Sequence, residues 1–271
     1  MEKSRIYKNF LDVIESKFTS EATLKTYANV AEKFIYDKHY NSLEALTNKY
    51  IKRYLLGIKN RKSVSSHNQY LSVIKILYRD VLKQRYKVES IKPIKSKRKL
   101  INLMGMTKIK SIVSKIPNLK HHAIIMTFLS TGVRISELLD IRLLDVDSEN
   151  MRILIRNGKG GKSRFIGLDS KLLKDLRKYY KLYKPKYYLF EGINGKYSKS
   201  SINKFLKKYF GTNFHAHLLR HIHITYMINN DVNNEKLRNA VGHNSTSTLR
   251  WYYQYSEHTL ITNINPINEL I

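Results

Sequence analysis

The sequence contains no cysteine. Disulfide bonds, thiol catalysis, zinc fingers and iron–sulfur clusters are therefore excluded, and charged side chains, hydroxyls and imidazoles must supply any chemistry. Long apolar runs are missing as well: no continuous stretch approaches the roughly 18 residues of a membrane-spanning helix, and the N-terminus is polar and basic, unlike a signal peptide. We therefore expect a soluble protein that stays inside the cell, in the cytoplasm.

Acidic residues are scarce. The chain of 271 residues has 21 Asp and Glu against 50 Lys and Arg, a formal net charge of +29 at pH 7. Hydrophobic residues make up 42% and aromatic residues 11% of the sequence, too many for a disordered basic tail, so we expect a folded protein with an anionic partner. A division at residue 100 leaves +14 before it and +15 after it, so both halves are predicted to contact one extended polyanion.

Nucleic acid suits this charge better than a lipid surface does. A helix that lies in a membrane interface needs a large face of Trp, Phe and Leu opposite a basic face, and no helical pattern here has one. A ribosomal or nucleoid-type protein, for which charge attraction is the whole function, remains open on composition. Composition therefore predicts the partner but not an activity.

Apolar periodicity predicts a mainly α protein with a small β-sheet. Residues 1–90 have the pattern of four helices, in which apolar residues recur on one helical face after caps such as Thr47. Residues 91–100 are basic, contain Pro93 and show little periodicity, so they are predicted to form an extended linker. We expect a helical domain at 1–90, a basic linker at 91–100 and an α+β domain at 101–271.

The second domain is predicted to begin with a helix capped by Thr107, followed by an apolar helix that ends at Thr131 and Gly132. Over 151–156, Met151, Ile153 and Ile155 alternate with Arg152, Leu154 and Arg156, and RFIGL follows a glycine-rich stretch, which indicates a β-hairpin. Residues 187–190 are predicted to add a third strand. Short helices, broken at glycine and asparagine residues, are expected to complete the domain.

Four clusters in this domain carry residues suited to phosphate chemistry. They are TGVRISEL at 131–138, GKGGK at 158–162, HLLRH at 217–221, and Gly242-His243 with Tyr252 nine residues after the histidine. In this order and spacing they resemble the catalytic domain of the tyrosine recombinases, the phage-integrase and Xer-type family. Its signature is a T-G-x-R-x-S-E-L box, a hairpin lysine, an H-x-L-R-H box, a G-H pair and a tyrosine nine residues further on.

The resemblance implies a fold and a reaction. The fold is a helical core-binding domain, matched by residues 1–90, and an α+β catalytic domain over residues 100–255. The reaction is site-specific DNA recombination, or integration, through a covalent 3′-phosphotyrosyl intermediate. The residues that the resemblance carries over are Tyr252 as the nucleophile, Arg134 and Arg220 as the phosphate clamp, Lys159 as the proton donor to the leaving oxygen, and His217 and His243 as groups that assist by hydrogen bonding and proton transfer.

These residue types suit phosphodiester cleavage without a metal or another cofactor. Such cleavage needs a nucleophile, positive charge beside the phosphate oxygens and a proton for the departing 5′-oxygen. A tyrosine hydroxyl with a pKa of about 10 is only about one-thousandth ionised at pH 7, a handicap of about 4 kcal/mol that nearby cations offset. A guanidinium stays charged and grips phosphate oxygens with two hydrogen bonds. We therefore expect neither a cofactor nor a metal ion.

Three features leave alternatives. Lys162 lies in the same glycine-rich stretch as Lys159, which we prefer because the family places its lysine directly after the first strand. Tyr253 adjoins Tyr252, and only one of them can face a phosphate, since adjacent helical residues point about 100° apart. A metal ion bound jointly by histidines is disfavoured, because no carboxylate ligand accompanies the closely spaced His215, His217, His221 and His223.

Two other functions compete with recombination. A type IB topoisomerase shares the Tyr, Arg, Lys and His chemistry but relaxes supercoils as a monomer, and a non-catalytic DNA-binding protein can retain the fold. The resemblance favours the recombinase and implies a homotetramer on two specific DNA core sites, with accessory proteins as a further class of partner. Richness in Lys, Asn and Ile points to a mobile element, a virus or a small AT-rich genome as the source.

Overall fold

Helices make up most of the described part of the protein, together with two small antiparallel sheets. The computed structural model describes residues 2–95, 103–156, 163–193, 195–230 and 232–242. The chain divides into two compact units, Met1–Lys99 and Leu100–Ile271. The predicted mainly α class with a small β-sheet is confirmed. Within the described ranges, no helix is long and apolar enough to cross a membrane.

The first unit is a helical bundle with the four predicted helices. Side-chain caps set two of the helix starts: the hydroxyl of Thr47 accepts from the amide of Tyr50, and that of Ser63 accepts from the amide of Ser66. The apolar faces of the helices enter one core. The elements are α1 (Glu2–Lys17), α2 (Glu21–Ile35), α3 (Asn48–Arg61) and α4 (Val64–Ile76), followed by a π-helical turn (Leu77–Val81) and a 3₁₀ turn (Arg85–Lys87).

The segment predicted as a linker begins with residues that pack on this bundle. The side chain of Ile91 is buried. The side-chain amide of Asn68 donates to the carbonyl of Ile94 and accepts from its backbone amide, both at 2.9 Å. Because both backbone groups of one residue are satisfied by one side chain, the chain is fixed at this point. The helical unit therefore holds residues 91–94, while residues 96–100 of the predicted linker lie outside the described residues.

The second unit combines helices with a three-stranded antiparallel sheet and a short hairpin. Its first elements are α5 (Met106–Val113), α6 (Leu119–Thr131), α7 (Ile135–Asp140), a 3₁₀ turn (Leu143–Asp145), β1 (Val146–Asp147), β2 (Arg152–Ile155) and β3 (Arg164–Gly167). The sheet order is β1-β2-β3, and the predicted hairpin is confirmed as β2 and β3. The remaining elements are α8 (Ser170–Tyr183), the paired strands β4 (Glu191–Gly192) and β5 (Gly195–Lys196), α9 (Lys199–Phe210), α10 (Ala216–Asn229) and α11 (Asn234–Val241).

The start of α5 differs from the prediction. The helix begins at Met106 after Gly105, so Thr107 lies in its first turn and does not cap it. The apolar face is nevertheless as expected, because Ile109 and Val113 are buried. The pattern of apolar residues therefore located the helix, although its first residue lies earlier than the cap signal indicated.

The predicted third strand is wrong. The third strand of the sheet is β1, whereas residues 187–190 contribute only an isolated bridge between Tyr188 and Arg142. A side chain explains the difference: the carboxylate of Glu191 accepts from the backbone amides of Tyr187 and Tyr188, at 2.7 and 3.0 Å. These amides are satisfied locally and do not form a ladder with a neighbouring strand.

Helix α6 ends at a glycine that redirects the chain. The helix packs against α8 and α10, and its middle is buried, with Ile124 and Phe128 fully inside the core. Gly132 follows it with a φ of +60°, and its amide donates to the carbonyl of Phe128 at 2.9 Å. A left-handed residue at this position is a common helix end that glycine favours. The chain therefore turns two residues before Arg134, as the sequence predicts.

Candidate functional site

Arg134 is held at two places in the second unit. It stands directly before α7, and its backbone amide donates to Oε2 of Glu137 at 2.9 Å. Its guanidinium donates from Nη1 to Oε1 of Glu137 at 2.8 Å and from Nη2 to the carbonyl of Gly242 at 3.0 Å. The side chain is 24% exposed. Arg134 therefore joins the T-G-x-R box to the G-H pair.

Glu137 is a buried carboxylate between two arginines. Besides Arg134, it binds Arg164, the first residue of β3, whose Nη1 and Nη2 donate to its two oxygens at 3.1 and 2.9 Å. Burial by itself raises the pKa of Glu137, but the hydrogen bonds from Arg164 and from the Arg134 amide, and the charges of both arginines, outweigh it and lower the pKa to about 2. The carboxylate is ionised at neutral pH and orients both guanidinium groups.

Arg220 lies inside the unit, although the sequence predicts a residue that contacts phosphate. It is on α10 and only 1% exposed. Its Nη1 donates to the carbonyl of Gly132, and its Nη2 donates to the carbonyl of Val241 at 2.7 Å. One guanidinium thus binds backbone from the T-G-x-R box and from the end of α11. Arg220 thereby connects the H-x-L-R-H box to the T-G-x-R box and to the residue directly before the G-H pair.

His217 is an exposed histidine near these arginines. It lies in the first turn of α10, and its ring packs edge-on against that of His221, with 4.5 Å between the ring centroids. Loss of water from the packed side of the ring, followed by electrostatic repulsion from Arg220, His215 and Arg134, lowers the pKa of His217 below its usual value. The imidazole is therefore neutral at pH 7 and can both accept and donate a proton.

His223 does not join the other histidines. The ring is buried, and its Nδ1 lies 2.8 Å from the carbonyl of Leu129, to which it donates. Burial lowers the pKa of His223, an effect that the charge of Arg220 increases and the Leu129 hydrogen bond opposes. In the described part of the chain, no group of three His, Asp or Glu residues is placed to hold a metal ion. The predicted histidine cluster therefore separates into two exposed residues, His215 and His217, and two buried residues, His221 and His223.

Half of the predicted site lies within the described residues. Lys159, His243 and Tyr252 lie outside them, as do the rivals Lys162 and Tyr253. The other three predicted residues lie near one another. Arg134 and Arg220 bind the carbonyls of Gly132, Val241 and Gly242, and His217 is close enough to both arginines for their charges to lower its pKa.

Arg164 is the residue at this site that sequence analysis missed. Its position, two residues after the GKGGK cluster and at the start of β3, is visible in the sequence. Its contacts are not, because Glu137 is 27 residues away and Ala240 is 76 residues away. No local pattern links an arginine to partners at such distances.

The arrangement suits chemistry on an anion. Two guanidinium groups, which stay charged, stand beside a neutral imidazole, with backbone carbonyls and a buried carboxylate fixing the two arginines. Charged donors that are held in place stabilise negative charge that develops on an oxyanion, and a neutral imidazole can move a proton. These are two of the elements that phosphoryl transfer needs.

Comparison with protein families agrees with this geometry. The model of the phage integrase family matches residues 102–258, more than half of the chain, and that of the phage integrase N-terminal SAM-like domain matches residues 6–88. These matches define a tyrosine-type site-specific recombinase, the enzyme class predicted from the sequence. The chain belongs to the phage integrase family.

Individual relatives agree with this assignment, and a solved structure has a similar fold. The chain is 28% identical to tyrosine recombinase XerA of Pyrococcus horikoshii over 258 residues, which cover 92% of this chain and 88% of that protein. Tyrosine recombinase XerA of Saccharolobus solfataricus is 27% identical, with 93% and 88% covered. The fold is similar to that of the Tn1549 transposon integrase in complex with transposon right end DNA, with a TM-score of 0.75. The two sequences are 17% identical, and the match covers 96% of this chain and 99% of that chain.

Proposed function

We propose that this protein recombines double-stranded DNA at specific core sites through a covalent 3′-phosphotyrosyl intermediate. Tyr252 is the nucleophile, and Arg134 and Arg220 stabilise the charge on the phosphate. Lys159 protonates the leaving oxygen. His217 and His243 assist by hydrogen bonding and proton transfer.

Each cleavage step exchanges one ester bond for another. Oη of Tyr252 forms a bond to the phosphorus of the DNA, and the bond from phosphorus to the 5′-oxygen breaks. The tyrosine proton passes to a histidine, while the departing 5′-oxygen takes a proton from Lys159. Attack on the phosphotyrosine by the 5′-hydroxyl of a second strand reverses these transfers and rejoins DNA. The energy of the ester bond is retained, so no ATP is consumed. Arg134 and Arg220 supply the positive charge that a metal ion would otherwise provide.

One observation supports these roles most directly. Arg220 and Arg134 donate to the successive carbonyls of Val241 and Gly242, and Arg220 also donates to Gly132. Three boxes that are far apart in the sequence therefore meet at one place. The residue after Gly242 in the sequence is His243, so the two arginines hold the backbone that leads to it.

The proposed partner is DNA, and the proposed assembly is a homotetramer on two sites. The net charge of +29 provides the attraction to phosphate. Among the similar structures, XerH is described as bound to a palindromic difH substrate, and the lambda integrase as a tetramer bound to a Holliday junction. We propose that this protein likewise binds a specific DNA site and assembles as a tetramer on DNA. We also propose that it acts on this DNA in the cytoplasm.

Covalent capture of DNA tests this proposal. The full chain is incubated with a pool of duplexes whose sequence is randomised on both sides of one nick, and DNA that stays attached after denaturation is sequenced. We expect a defined sequence to be enriched and its 5′-end label to remain on the protein, as a 3′-phosphotyrosyl bond requires. A pool without covalent adducts, or a 3′-end label on the protein, would contradict the proposal.

A matched pair of variants tests the nucleophile. Tyr252→Phe should abolish the adduct, because the substitution removes only the attacking oxygen, and Tyr253→Phe should leave it intact. The reverse result would show that the neighbouring tyrosine attacks.

Supercoil relaxation separates the recombinase from a type IB topoisomerase. A supercoiled plasmid without the selected sequence should remain supercoiled, whereas two copies of that sequence in one plasmid should give recombinant circles. Efficient relaxation of the first plasmid would favour the topoisomerase. If no adduct forms but a non-covalent binding selection from the same pool enriches a defined sequence, the result would favour a non-catalytic DNA-binding protein.

A further inference from the structure

Three arginines bind the three successive backbone carbonyls with which α11 ends. Arg164 donates from Nε to Ala240 at 2.8 Å, Arg220 donates to Val241 at 2.7 Å, and Arg134 donates to Gly242 at 3.0 Å. The last carbonyls of a helix have no partner within the helix and carry partial negative charge, so cations are stabilising there. Two of these arginines belong to the proposed phosphate site. The third, Arg164, has no part in the proposed reaction.

Arg164 also holds the carboxylate that orients Arg134. Its Nη1 and Nη2 donate to Oε1 and Oε2 of Glu137, at 3.1 and 2.9 Å, and Oε1 also accepts from Arg134. The Arg164 side chain is 14% exposed and that of Glu137 is 5% exposed, so water competes little with these bonds. Arg164 therefore contacts both supports of the Arg134 side chain, the carboxylate and the end of α11.

The guanidinium of Arg164 packs against the backbone of Gly242. A Cβ at Gly242 would lie 2.9 Å from Nη1 and 3.0 Å from Cζ of Arg164, closer than such atoms approach. The φ of Gly242 is +64°, a left-handed value that glycine adopts at little cost. The glycine of the G-H pair therefore allows the chain to pass closely over a planar guanidinium. A lysine ammonium is neither planar nor able to donate in three fixed directions.

We propose that Arg164 is a positioning residue for DNA cleavage, which fixes the Arg134 guanidinium and the backbone of Gly242 through its bonds to Glu137 and Ala240. It acts through these groups and does not contact the phosphate. The inference rests on the proposed function, because it assigns Arg164 a part in the cleavage step. It predicts that Arg164 determines how fast bound DNA is cleaved and has little influence on how tightly DNA binds.

The test compares Arg164→Lys with the wild-type protein on the nicked duplex recovered by covalent capture. Two quantities are measured: the dissociation constant of the complex, and the rate constant of adduct formation with all DNA bound. We expect a dissociation constant within about threefold of the wild-type value, because the positive charge is kept. We expect the rate constant to fall about 100-fold, because small displacements of reacting groups have effects of that size.

Arg152→Lys is the matched control. Arg152 lies on the neighbouring strand β2, where its Nε donates to Asp147 at 2.9 Å, and its side chain is 44% exposed. This variant changes an arginine and an ion pair of the same sheet without touching α11, and its rate constant should equal that of the wild type. An equal fall in Arg152→Lys and Arg164→Lys would overturn the proposal, as would an unchanged rate in Arg164→Lys.

Chemical rescue distinguishes positioning from general stability. Arg164→Ala leaves space for a guanidinium ion, and millimolar guanidinium should restore part of the lost rate in this variant while leaving the wild-type rate unchanged. Failure of rescue in a variant that keeps the wild-type circular dichroism spectrum and midpoint of thermal unfolding would contradict the proposal. If the wild-type protein itself forms no adduct, the proposed function fails, and this result is distinct from the failure of the role of Arg164.

Discussion

The ring of His223 lies directly against the backbone of Gly132. Its Cδ2 is 2.3 Å from the position that a Cβ at residue 132 would occupy, and its Nδ1 donates to the carbonyl of Leu129 at 2.8 Å. Gly132 has a φ of +60° and a carbonyl that accepts from Arg220. The glycine of the T-G-x-R box is therefore required by two independent constraints, the left-handed backbone and the space that the imidazole fills.

Gly132→Ala should destabilise the protein by about 3 kcal/mol, because the new Cβ adds a steric clash to a left-handed backbone. In a His223→Ala background the same substitution should lower the free energy of unfolding by only about 1 kcal/mol, because only the strain of the left-handed backbone then remains. Urea denaturation of the four proteins of this cycle measures both values. Equal costs in the two backgrounds would show that the ring does not impose the constraint.

Glu137 should contribute stability that depends on pH. Its folded pKa of about 2 lies below the usual value of 4.5, so the contribution is fully present above about pH 4.5 and is lost as the pH falls toward 2. At neutral pH it amounts to about 3 kcal/mol. Unfolding of Glu137→Gln and wild-type protein, measured from pH 7 to pH 2, should give curves that converge in acid. A constant difference over this range would refute the prediction.

DNA cleavage should depend on the neutral form of His217. Because its pKa is lowered from 6.5, the imidazole stays neutral as the pH falls to that value and becomes protonated only below it. The rate of adduct formation should therefore have an acid limb with a midpoint below pH 6.5. His217→Gln should react about 100-fold more slowly and lack this limb. A wild-type midpoint above pH 6.5 would contradict the assignment.

Asn68 should control access of proteases to the chain after the first unit. Asn68→Ala removes both hydrogen bonds to Ile94, a loss of about 1.4 kcal/mol that should increase tryptic cleavage after Lys95 about tenfold. Asn68→Asp keeps the acceptor for the Ile94 amide and should give an intermediate rate. Limited proteolysis followed by mass spectrometry measures these rates. Identical rates in all three proteins would show that this pair does not hold the segment.

Salt should weaken DNA binding steeply, because the surplus of 29 positive charges acts on phosphates of any sequence. For 6 to 10 phosphate contacts, we expect a loss of about 10³- to 10⁵-fold in affinity between 50 and 200 mM salt. The selected duplex and a random duplex should lose affinity in parallel, as measured by fluorescence anisotropy. A shallow dependence for both would show that the net charge serves another purpose.

Local features of the fold could be predicted because they depend on neighbouring residues. The cap at Thr47 and the helix end at Gly132 each depend on residues a few positions apart. The hairpin joins β2 and β3, which follow one another in the sequence. The third strand could not be predicted, since Glu191 binds the amides of the segment that resembled a strand. A side chain that competes for backbone groups leaves no trace in the apolar pattern.

The sequence by itself determined the partner class through its charge, the helical architecture through its apolar periodicity, and the family through the spacing of its boxes. Only the tertiary structure decided how the arginines are used. It buries Arg220, connects Arg134 to a carbonyl 108 residues away and brings Arg164 to the end of α11. The physical reason is that the carbonyls at a helix end need donors, and which cations reach them depends on how the helices and the sheet pack together.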